Sequence, residues 1–160
     1  SFIYAQRLGN LTPKPVTYIE NRKGGLLYDS YYISHVSPCT HVLKEVIKDV
    51  HFPNRMQIFA AFGKFTAVLH ERGIMHEDYS MGNILFEPNE QGAQFQLVDL
   101  NRMRFGQNIT LRRGCRNFER IDTDSAALSA IARAYAQARG FEEEECVRLV
   151  LKMRWRKHKK

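Results

Sequence analysis

The sequence predicts an α+β fold in which helices dominate and the strands form short hairpins. Two segments near the start are rich in Val, Ile and Tyr and flank a Gly-Gly turn, which is typical of a hairpin. Apolar residues at steps of three and four in segment 59–69, and an Ala-rich segment between Asp124 and Gly140, predict helices. With 160 residues, the chain has room for one domain, or for one large lobe with part of another.

The amino-terminal part combines the end of a helix with a hairpin. Residues 2–8 have the composition of the last turns of a helix, which a Gly-Asn pair and two prolines then end. Residues 16–20 and 26–34 are predicted strands, and residues 21–25 form the turn between them. The first residues show neither an initiator Met nor a signal peptide, so we expect the chain to begin in the middle of a domain.

Two helices and a second hairpin are predicted next. The first helix has apolar residues at helical spacing, namely Val42, Val46, Ile47 and Val50. The second helix ends at Gly73 and has an apolar face formed by Phe59, Phe62, Phe65 and Leu69. A polar loop at residues 76–82 then leads into the hairpin, with strands predicted at residues 83–86 and 95–100.

The last third of the chain is predicted to be a loop followed by two helices. Residues 102–120 are rich in Arg, contain two glycines and show no clear period, which favours a long ordered loop. Asp124 is expected to cap a helix that ends at Gly140. A final helix is predicted from Glu142, because acids in its first turn and bases at its end match the helix dipole.

The net charge of +7 comes from the carboxy-terminal end. Six of the 24 Lys and Arg residues lie within residues 152–160, where no acid is present, and without them 18 bases face 17 acids. A nearly neutral body argues against a nucleic-acid-binding surface. Three interpretations of the tail stay open: contact with an anionic membrane surface, contact with nucleic acid, or a solvated helix end.

The cysteines and the apolar runs indicate a cytoplasmic protein. Cys39, Cys115 and Cys146 are far apart in sequence and lack metal-ligand spacing, so they are predicted to be reduced thiols. The richest apolar run, residues 58–62, is soon followed by Lys64 and is too short to span a membrane.

One segment has the spacing of a catalytic loop. His76, Asp78 and Asn83 match the pattern His-x-Asp-x-x-x-x-Asn on a predicted loop between a helix and a hairpin, and Asp99 follows that hairpin. In these residues the chain resembles the protein-kinase-like superfamily, over about residues 10–140. The resemblance implies a protein-kinase-like fold, with a mostly helical carboxy-terminal lobe and a short hairpin remnant of the amino-terminal lobe.

The resemblance also assigns a role to each of these residues. Asp78 is the catalytic base, which orients the attacking hydroxyl and accepts its proton, while Asn83 and Asp99 hold Mg²⁺ on the phosphates of ATP. His76 and Asp124 are structural residues at the catalytic loop. The residues alone leave an alternative open, in which the two loop residues hydrogen-bond their own turns and Asp99 caps a strand.

The chain departs from the protein kinases within that superfamily. Glu77 stands in place of the Arg of His-Arg-Asp, Ser80 in place of a Lys, and residues 99–101 read Asp-Leu-Asn in place of Asp-Phe-Gly. Residues 99–102 are similar instead to the Asp-Leu-x-Arg pattern of the lipopolysaccharide core kinases, enzymes of Gram-negative bacteria that phosphorylate Kdo or heptose sugars. The segment that starts at Asp124 resembles their Asp-x-x-x-Leu helix start.

This family resemblance divides the chain into three parts. Residues 1–36 are expected to be a remnant of the amino-terminal lobe with the hinge, residues 37–151 the carboxy-terminal lobe, and residues 152–160 the basic tail. The adenine of ATP is expected to lie against the hinge residues Ser34, His35 and Val36. The Gly-rich loop and strand Lys that clamp the phosphates in this superfamily have no match in the sequence, so we expect the 160 residues alone to be inactive or nearly so.

The Arg-rich segment occupies the place of the substrate loop in this resemblance. Its candidate substrate-binding residues are Arg102, Arg104, Arg112 and Arg113. Guanidinium groups there would hold the carboxylate and phosphates of an acidic glycolipid. The alternative is a solvated loop with structural ion pairs.

The predicted function is transfer of the γ-phosphate of ATP, with Mg²⁺, to a hydroxyl of a lipopolysaccharide core sugar, Kdo or heptose. The expected partners are ATP and an acidic glycolipid or sugar, in the cytoplasm or at the inner face of the inner membrane; nucleic acid is not expected. Two alternatives stay open: a protein Ser/Thr or antibiotic acceptor, and a pseudokinase that binds partners without catalysis. The presence of Asp78, Asn83 and Asp99 favours an enzyme.

Overall fold

The computed structural model describes the backbone of residues 1–157 and the side chains of residues 1–154. Its helices are α1 (Phe2–Leu8), α2 (Leu43–Lys48), α3 (Arg55–Glu71), α4 (Leu111–Asn117), α5 (Ser125–Arg139) and α6 (Glu143–Lys157). Its strands are β1 (Pro15–Lys23), β2 (Leu26–Ser34), β3 (His41–Val42), β4 (Met75–His76), β5 (Ile84–Asn89), β6 (Gly92–Leu97) and β7 (Met103–Arg104). The mixture of helices and small antiparallel sheets confirms the predicted α+β class.

Helices α3 and α5 pack against each other at the centre of the molecule. Gly63 permits their close approach, because a Cβ atom there would lie 2.3 Å from the carbonyl oxygen of Ile131. The ring of Phe62 stacks on that of Tyr79, with 5.6 Å between the centroids. Since Tyr79 belongs to the core and follows Asp78 directly, it anchors the loop that carries the His-x-Asp-x-x-x-x-Asn motif.

The Tyr79 side chain is fully buried and anchored by a hydroxyl pair. The Thr66 hydroxyl donates to the Phe62 carbonyl at 2.9 Å, and the Tyr79 hydroxyl donates to Thr66 at 2.9 Å. Burial raises the pKa of Tyr79 far above its ordinary value, so this hydroxyl stays protonated. Its part in the loop is therefore structural.

Two small sheets flank that loop. Strands β3, β5 and β6 form an antiparallel sheet in this order, β5–β6 being the predicted second hairpin, with Ile84 paired to Leu97. Strands β4 and β7 form a two-stranded sheet in which His76 pairs with Met103. The loop between β4 and β5 is thus held at both ends by strand pairs.

The β1–β2 hairpin leaves apolar side chains in solvent. Its antiparallel register pairs Tyr18 with Tyr32, and the ring of Phe2 in α1 lies 5.4 Å from that of Tyr18. More than a third of the surface of each of the following side chains is exposed: Val16, Tyr18, Ile19, Leu26, Leu27, Tyr28, Tyr31, Tyr32 and Ile33. Within the part of the chain that the structure describes, no third strand joins this sheet.

The prediction of a long loop at residues 102–120 was wrong in part, because the structure forms α4 there. The hydroxyl of Thr110 caps the helix by accepting a hydrogen bond from the backbone of Arg113. Gly114 and Cys115 face the core, where a Cβ on Gly114 would lie 2.0 Å from the hydroxyl of Tyr135. A helix of two turns with four non-apolar residues in seven shows no readable period, and packing stabilises it instead.

The three cysteines are free and buried, in agreement with the predicted reduced thiols. Cys115 of α4 and Cys146 of α6 are nevertheless neighbours, with 3.4 Å between their sulfur atoms. The hydrogen bond with the adjacent Cys146 sulfur and, after it, burial raise the pKa of Cys115. The two cysteines are 31 residues apart in the sequence, so this contact between helices could not be predicted from their spacing.

The carboxy-terminal segment is helical as far as the structure describes it. Arg154 on α6 forms an ion pair with Asp122 at 3.5 Å. The interpretation of the basic tail rests mainly on residues 155–160, whose side chains lie outside the described residues. No helix in the described part of the chain combines the length and apolar character needed to cross a bilayer.

Candidate active site

The loop that joins β4 to β5 carries the predicted catalytic residues. The backbone of Glu77 donates to the carbonyl of Arg102 at 2.9 Å, which extends the β4–β7 pairing to the start of the loop. Further along, Ser80 donates to the Asp78 carbonyl at 2.8 Å and Asn83 donates to the Ser80 carbonyl at 3.0 Å. The loop is therefore ordered by its own backbone bonds.

His76 lies beneath this loop and connects it to the end of β6. Its Nδ1 atom accepts the backbone N–H of Asp78 at 3.1 Å, and its Nε2 atom donates to the Val98 carbonyl at 3.4 Å. Burial lowers its pKa, which keeps the ring neutral and is consistent with one acceptor and one donor nitrogen. His76 thereby fixes Asp78 relative to the residue that precedes Asp99.

Asn83 connects the same two segments from the other side. Its side-chain amide donates to the Asp78 carbonyl at 3.0 Å, so its amide oxygen remains for a ligand. Its carbonyl accepts the backbone N–H of Val98 at 3.0 Å. The motif residues and the chain entering Asp99 thus form one hydrogen-bonded frame.

Asp99 has a left-handed backbone, with φ 55° and ψ 64°. This conformation is uncommon for a residue other than Gly and costs of order 1 kcal/mol or more, so the surrounding structure must impose it. The Asp99 carboxylate accepts a hydrogen bond from the side-chain amide nitrogen of Asn101 at 3.2 Å. The side-chain oxygen of Asn101 in turn accepts from the hydroxyl of Ser1 at 2.8 Å. A strained, oriented carboxylate at the end of a hairpin is suited to ligand binding.

The side chain of Asp78 is 26% exposed and forms an ion pair with Arg120. One carboxylate oxygen accepts from the Arg120 guanidinium, which comes from the turn after α4. The Asp78 side chain thus stays partly accessible, as a base that accepts a hydroxyl proton must be.

Asn83 and Asp99 supply the donors that a magnesium ion prefers. An amide oxygen and a carboxylate are hard oxygen ligands, and Mg²⁺ commonly keeps several waters and takes one or two protein ligands plus phosphate oxygens. Among the described residues, no group of three or more His, Cys, Asp and Glu side chains could hold a metal ion. The two oxygen donors fit an ion that takes its remaining ligands from water and phosphate oxygens.

A chain of buried hydrogen bonds supports the loop from behind. Arg139 donates to the Tyr135 hydroxyl at 3.0 Å, and Tyr135 donates to Nδ1 of His70 at 2.9 Å. His70 donates through Nε2 to the side-chain oxygen of Asn117 at 3.2 Å, and the Asn117 amide donates to the carbonyl of His76 at 3.2 Å. This chain of hydrogen bonds requires a neutral His70, because Nδ1 must accept from Tyr135 while Nε2 donates to Asn117.

We expect this network to make stability pH-dependent. Burial is the main cause that lowers the pKa of His70 to about 4, against 6.5 for an exposed histidine. As the pH falls below 6.5, His70 of the unfolded chain therefore binds a proton, whereas His70 of the folded protein stays neutral until the pH approaches 4. The contribution of the neutral His70 to the free energy of unfolding is thus complete above pH 6.5 and is lost between pH 6.5 and pH 4. His70 should account for a loss of about 3 kcal/mol over that interval.

Urea unfolding of the wild type and of His70→Gln at pH 7 and in mild acid checks this expectation. The variant should be less stable at pH 7 and lose less stability on acidification. His51→Gln, at an exposed position, is the matched control and should follow the wild type. Equal acid sensitivity of His70→Gln and the wild type would contradict the assignment.

A cavity of about 320 Å³ opens beside the loop, on the side of α4. Its lining includes His76, Glu77, Asn117 and three arginines, Arg113, Arg116 and Arg120. Of these three arginines, Arg113 alone belongs to the substrate-binding residues that the sequence predicted. Glu77 in this lining forms an ion pair with Arg104.

The other predicted residues lie outside this cavity. The backbone carbonyl of Arg102 binds Glu77, and Arg112 is exposed on α4. Asp124 caps α5 by accepting from Ala127 at 2.8 Å and binds Arg55 of α3 at 2.6 Å, and its described bonds do not reach the loop. The predicted hinge residues lie at the end of β2: Ser34, the last residue of the strand, is half-buried, the backbone N–H of His35 donates to the Lys14 carbonyl at 2.9 Å, and Val36 is 94% exposed.

Two comparisons with known proteins complete the description. The sequence model of the lipopolysaccharide kinase (Kdo/WaaP) family matches residues 5–143, a range that contains the loop, Asp99 and the cavity. A search of the curated proteins finds no match to the chain.

Proposed function

The chain belongs to the lipopolysaccharide kinase (Kdo/WaaP) family, and from this premise we propose that it transfers the γ-phosphate of ATP, with Mg²⁺, to a hydroxyl of a lipopolysaccharide core sugar. The members of the family are phosphotransferases, which fixes the class of enzyme. One observation supports the reaction most: His76 and Asn83 hold Asp78 in a frame that also contains the backbone entering Asp99.

In the proposed mechanism the acceptor hydroxyl lies against Asp78. The carboxylate orients the hydroxyl oxygen for in-line attack on the γ-phosphorus and takes its proton, and ADP leaves with the bridging oxygen. The amide oxygen of Asn83 and the carboxylate of Asp99 would hold Mg²⁺, which when bound neutralises the charge of the ATP phosphates. The neutral ring of His76 transfers no proton and keeps the Asp78 backbone in place.

We further propose that the chain is arranged as in the protein kinases. The β1–β2 hairpin and α1 would belong to the amino-terminal lobe and residues 37–151 to the carboxy-terminal lobe, with the adenine against residues 34–36. The two-stranded hairpin and the pairing of β4 with β7 around the loop support this arrangement. The reaction would take place in the cytoplasm, where ATP is available.

Replacing the metal-binding side chains should weaken nucleotide binding selectively in Mg²⁺. In the complete gene product, we expect Asp99→Ala and Asn83→Ala to lower the affinity for ATP at least about tenfold, because even outer partners of a metal site typically cost that much. Calorimetric titrations with ATP, in the presence and absence of Mg²⁺, measure this affinity. Asp49→Asn, a surface variant, is the control; equal ATP affinities of Asp99→Ala and the control in Mg²⁺ would refute the metal role.

A further inference from the structure

The arginine cavity, defined by Arg113, Arg116 and Arg120, is built from one face of α4 and the turn that follows it. These positions are separated by three and four residues, so the guanidinium groups project from the same side. The opposite wall comes from β4 and the loop, through Met75, His76, Glu77 and Tyr79. The cavity therefore lies directly next to Asp78.

The positive charge of this cavity is only loosely neutralised. Arg113 donates to the side chain of Gln107 at 2.7 Å and to the carbonyl of Asn108 at 3.4 Å, and among the described residues it pairs with no carboxylate. Arg116 lies 3.7 Å from Glu119, which also lines the cavity, and the Arg116 side chain is 74% exposed. Exposed pairs of this kind contribute little stability, so an incoming anion can replace them.

Arg120 belongs both to the cavity and to the proposed catalytic centre. Its guanidinium binds the Asp78 carboxylate, while its position in the cavity wall makes it accessible to a ligand. An anion bound by the three arginines would compete with Asp78 for Arg120. Filling the cavity would then release the carboxylate at the place where the acceptor hydroxyl is needed.

We propose that the arginine cavity binds a compact oxyanion of the acceptor, a carboxylate or a phosphate monoester, and thereby sets the acceptor hydroxyl at Asp78. This inference rests on the proposed function. The volume of the arginine cavity, about 320 Å³, is within the range of small-molecule sites. Arginine is suited to this task because its planar guanidinium binds carboxylate and phosphate through two parallel hydrogen bonds.

An NMR titration of the gene product in the absence of ATP and Mg²⁺ tests the proposal. The probes are free Kdo, which offers a carboxylate, mannose 6-phosphate, which offers a phosphate, and mannose, which is neutral. We expect at least one anionic probe to bind and to shift the signals of α4, whereas mannose does not bind. The probe that binds more tightly identifies the oxyanion.

Variants locate the binding. Arg113→Gln combined with Arg116→Gln, and separately Arg120→Gln, should reduce the affinity for the anionic probe by about tenfold or more, as expected for the loss of charge-assisted hydrogen bonds. Arg148→Gln, which removes a positive charge from the exposed side of α6, should bind like the wild type. Arg113→Lys keeps the charge and should retain part of the affinity, which separates loss of binding from loss of folding.

The proposal is overturned if neither anionic probe binds, if Arg148→Gln weakens binding as much as the double variant, or if ATP competes with the probe for the cavity. Because no nucleotide is present in the main titration, its result is independent of turnover. A gene product that binds the anion through these arginines but transfers no phosphate would refute the proposed function alone.

Discussion

Asp78→Asn is expected to reduce phosphoryl transfer by about 100-fold or more and to leave ATP binding unchanged. The amide cannot accept the hydroxyl proton, and the loss of a general base typically costs a factor of about 10² to 10⁴. Nucleotide binding should persist, because Asn83 and Asp99 are intact and the backbone bonds of residue 78 to His76 and Asn83 do not involve its side chain. Single-turnover transfer and ATP affinity, measured on the complete gene product, give the two quantities.

Asp49→Asn is the matched control for this experiment. It makes the same chemical change at an exposed position after α2, and its transfer rate should equal that of the wild type. Transfer by Asp78→Asn at the rate of this control would show that Asp78 is not the base.

Gly63→Ala is expected to destabilise the protein by about 3 kcal/mol, the upper end of the usual cost of overpacking a core. The new Cβ would lie 2.3 Å from the carbonyl oxygen of Ile131 and 3.1 Å from the backbone nitrogen of Tyr135. Both atoms belong to the backbone of α5, so no side-chain rotation relieves the clash and the two central helices must separate. The free energy of unfolding from urea denaturation measures the loss.

Gly82→Ala provides the comparison for Gly63→Ala. A Cβ at Gly82 meets nothing within 4 Å, and its backbone does not need a positive φ. Its stability should therefore stay the same or rise slightly, since alanine restricts the unfolded chain. Equal urea midpoints for the two variants would contradict the close packing of α3 on α5.

The elements that could be predicted from the sequence are those with a strong local pattern. Helix α5 begins after Asp124 and ends at Gly140 as predicted, because a cap at each end encloses an apolar face. Helix α3 and the two hairpins follow from apolar spacing and turn residues. Helix α4 could not be predicted, since its stability depends on Gly114 and Cys115 packing against distant helices.

The same distinction applies to the candidate site. His76, Asp78 and Asn83 lie within one stretch of eight residues, so the motif that resembles the catalytic loop of the protein-kinase-like superfamily could be found in the sequence. Arg120 is 42 residues from its partner Asp78 and lies in a segment with several other arginines. Nothing in the spacing distinguishes it from Arg112, which the fold leaves in solvent.

The chain of buried hydrogen bonds that supports the loop could not be predicted from the sequence either. His70 and Tyr135 are 65 residues apart, and a buried histidine on an apolar helix face has many structural roles. Its function in holding the loop follows only from the contact with Asn117, which binds the carbonyl of His76. Such contacts are set by the packing of α3, α4 and α5 rather than by local propensity.

Transfer of labelled phosphate tests the central claim most directly. The complete gene product is incubated with γ-labelled ATP, Mg²⁺ and a lipopolysaccharide core acceptor that contains Kdo and heptose, alongside the Asp78→Asn variant. The account predicts that label enters the core sugar, that Mg²⁺ is required, and that the variant transfers about a hundredth of the wild-type amount or less in the same time. Label in the core sugar no greater for the wild type than for Asp78→Asn would contradict it.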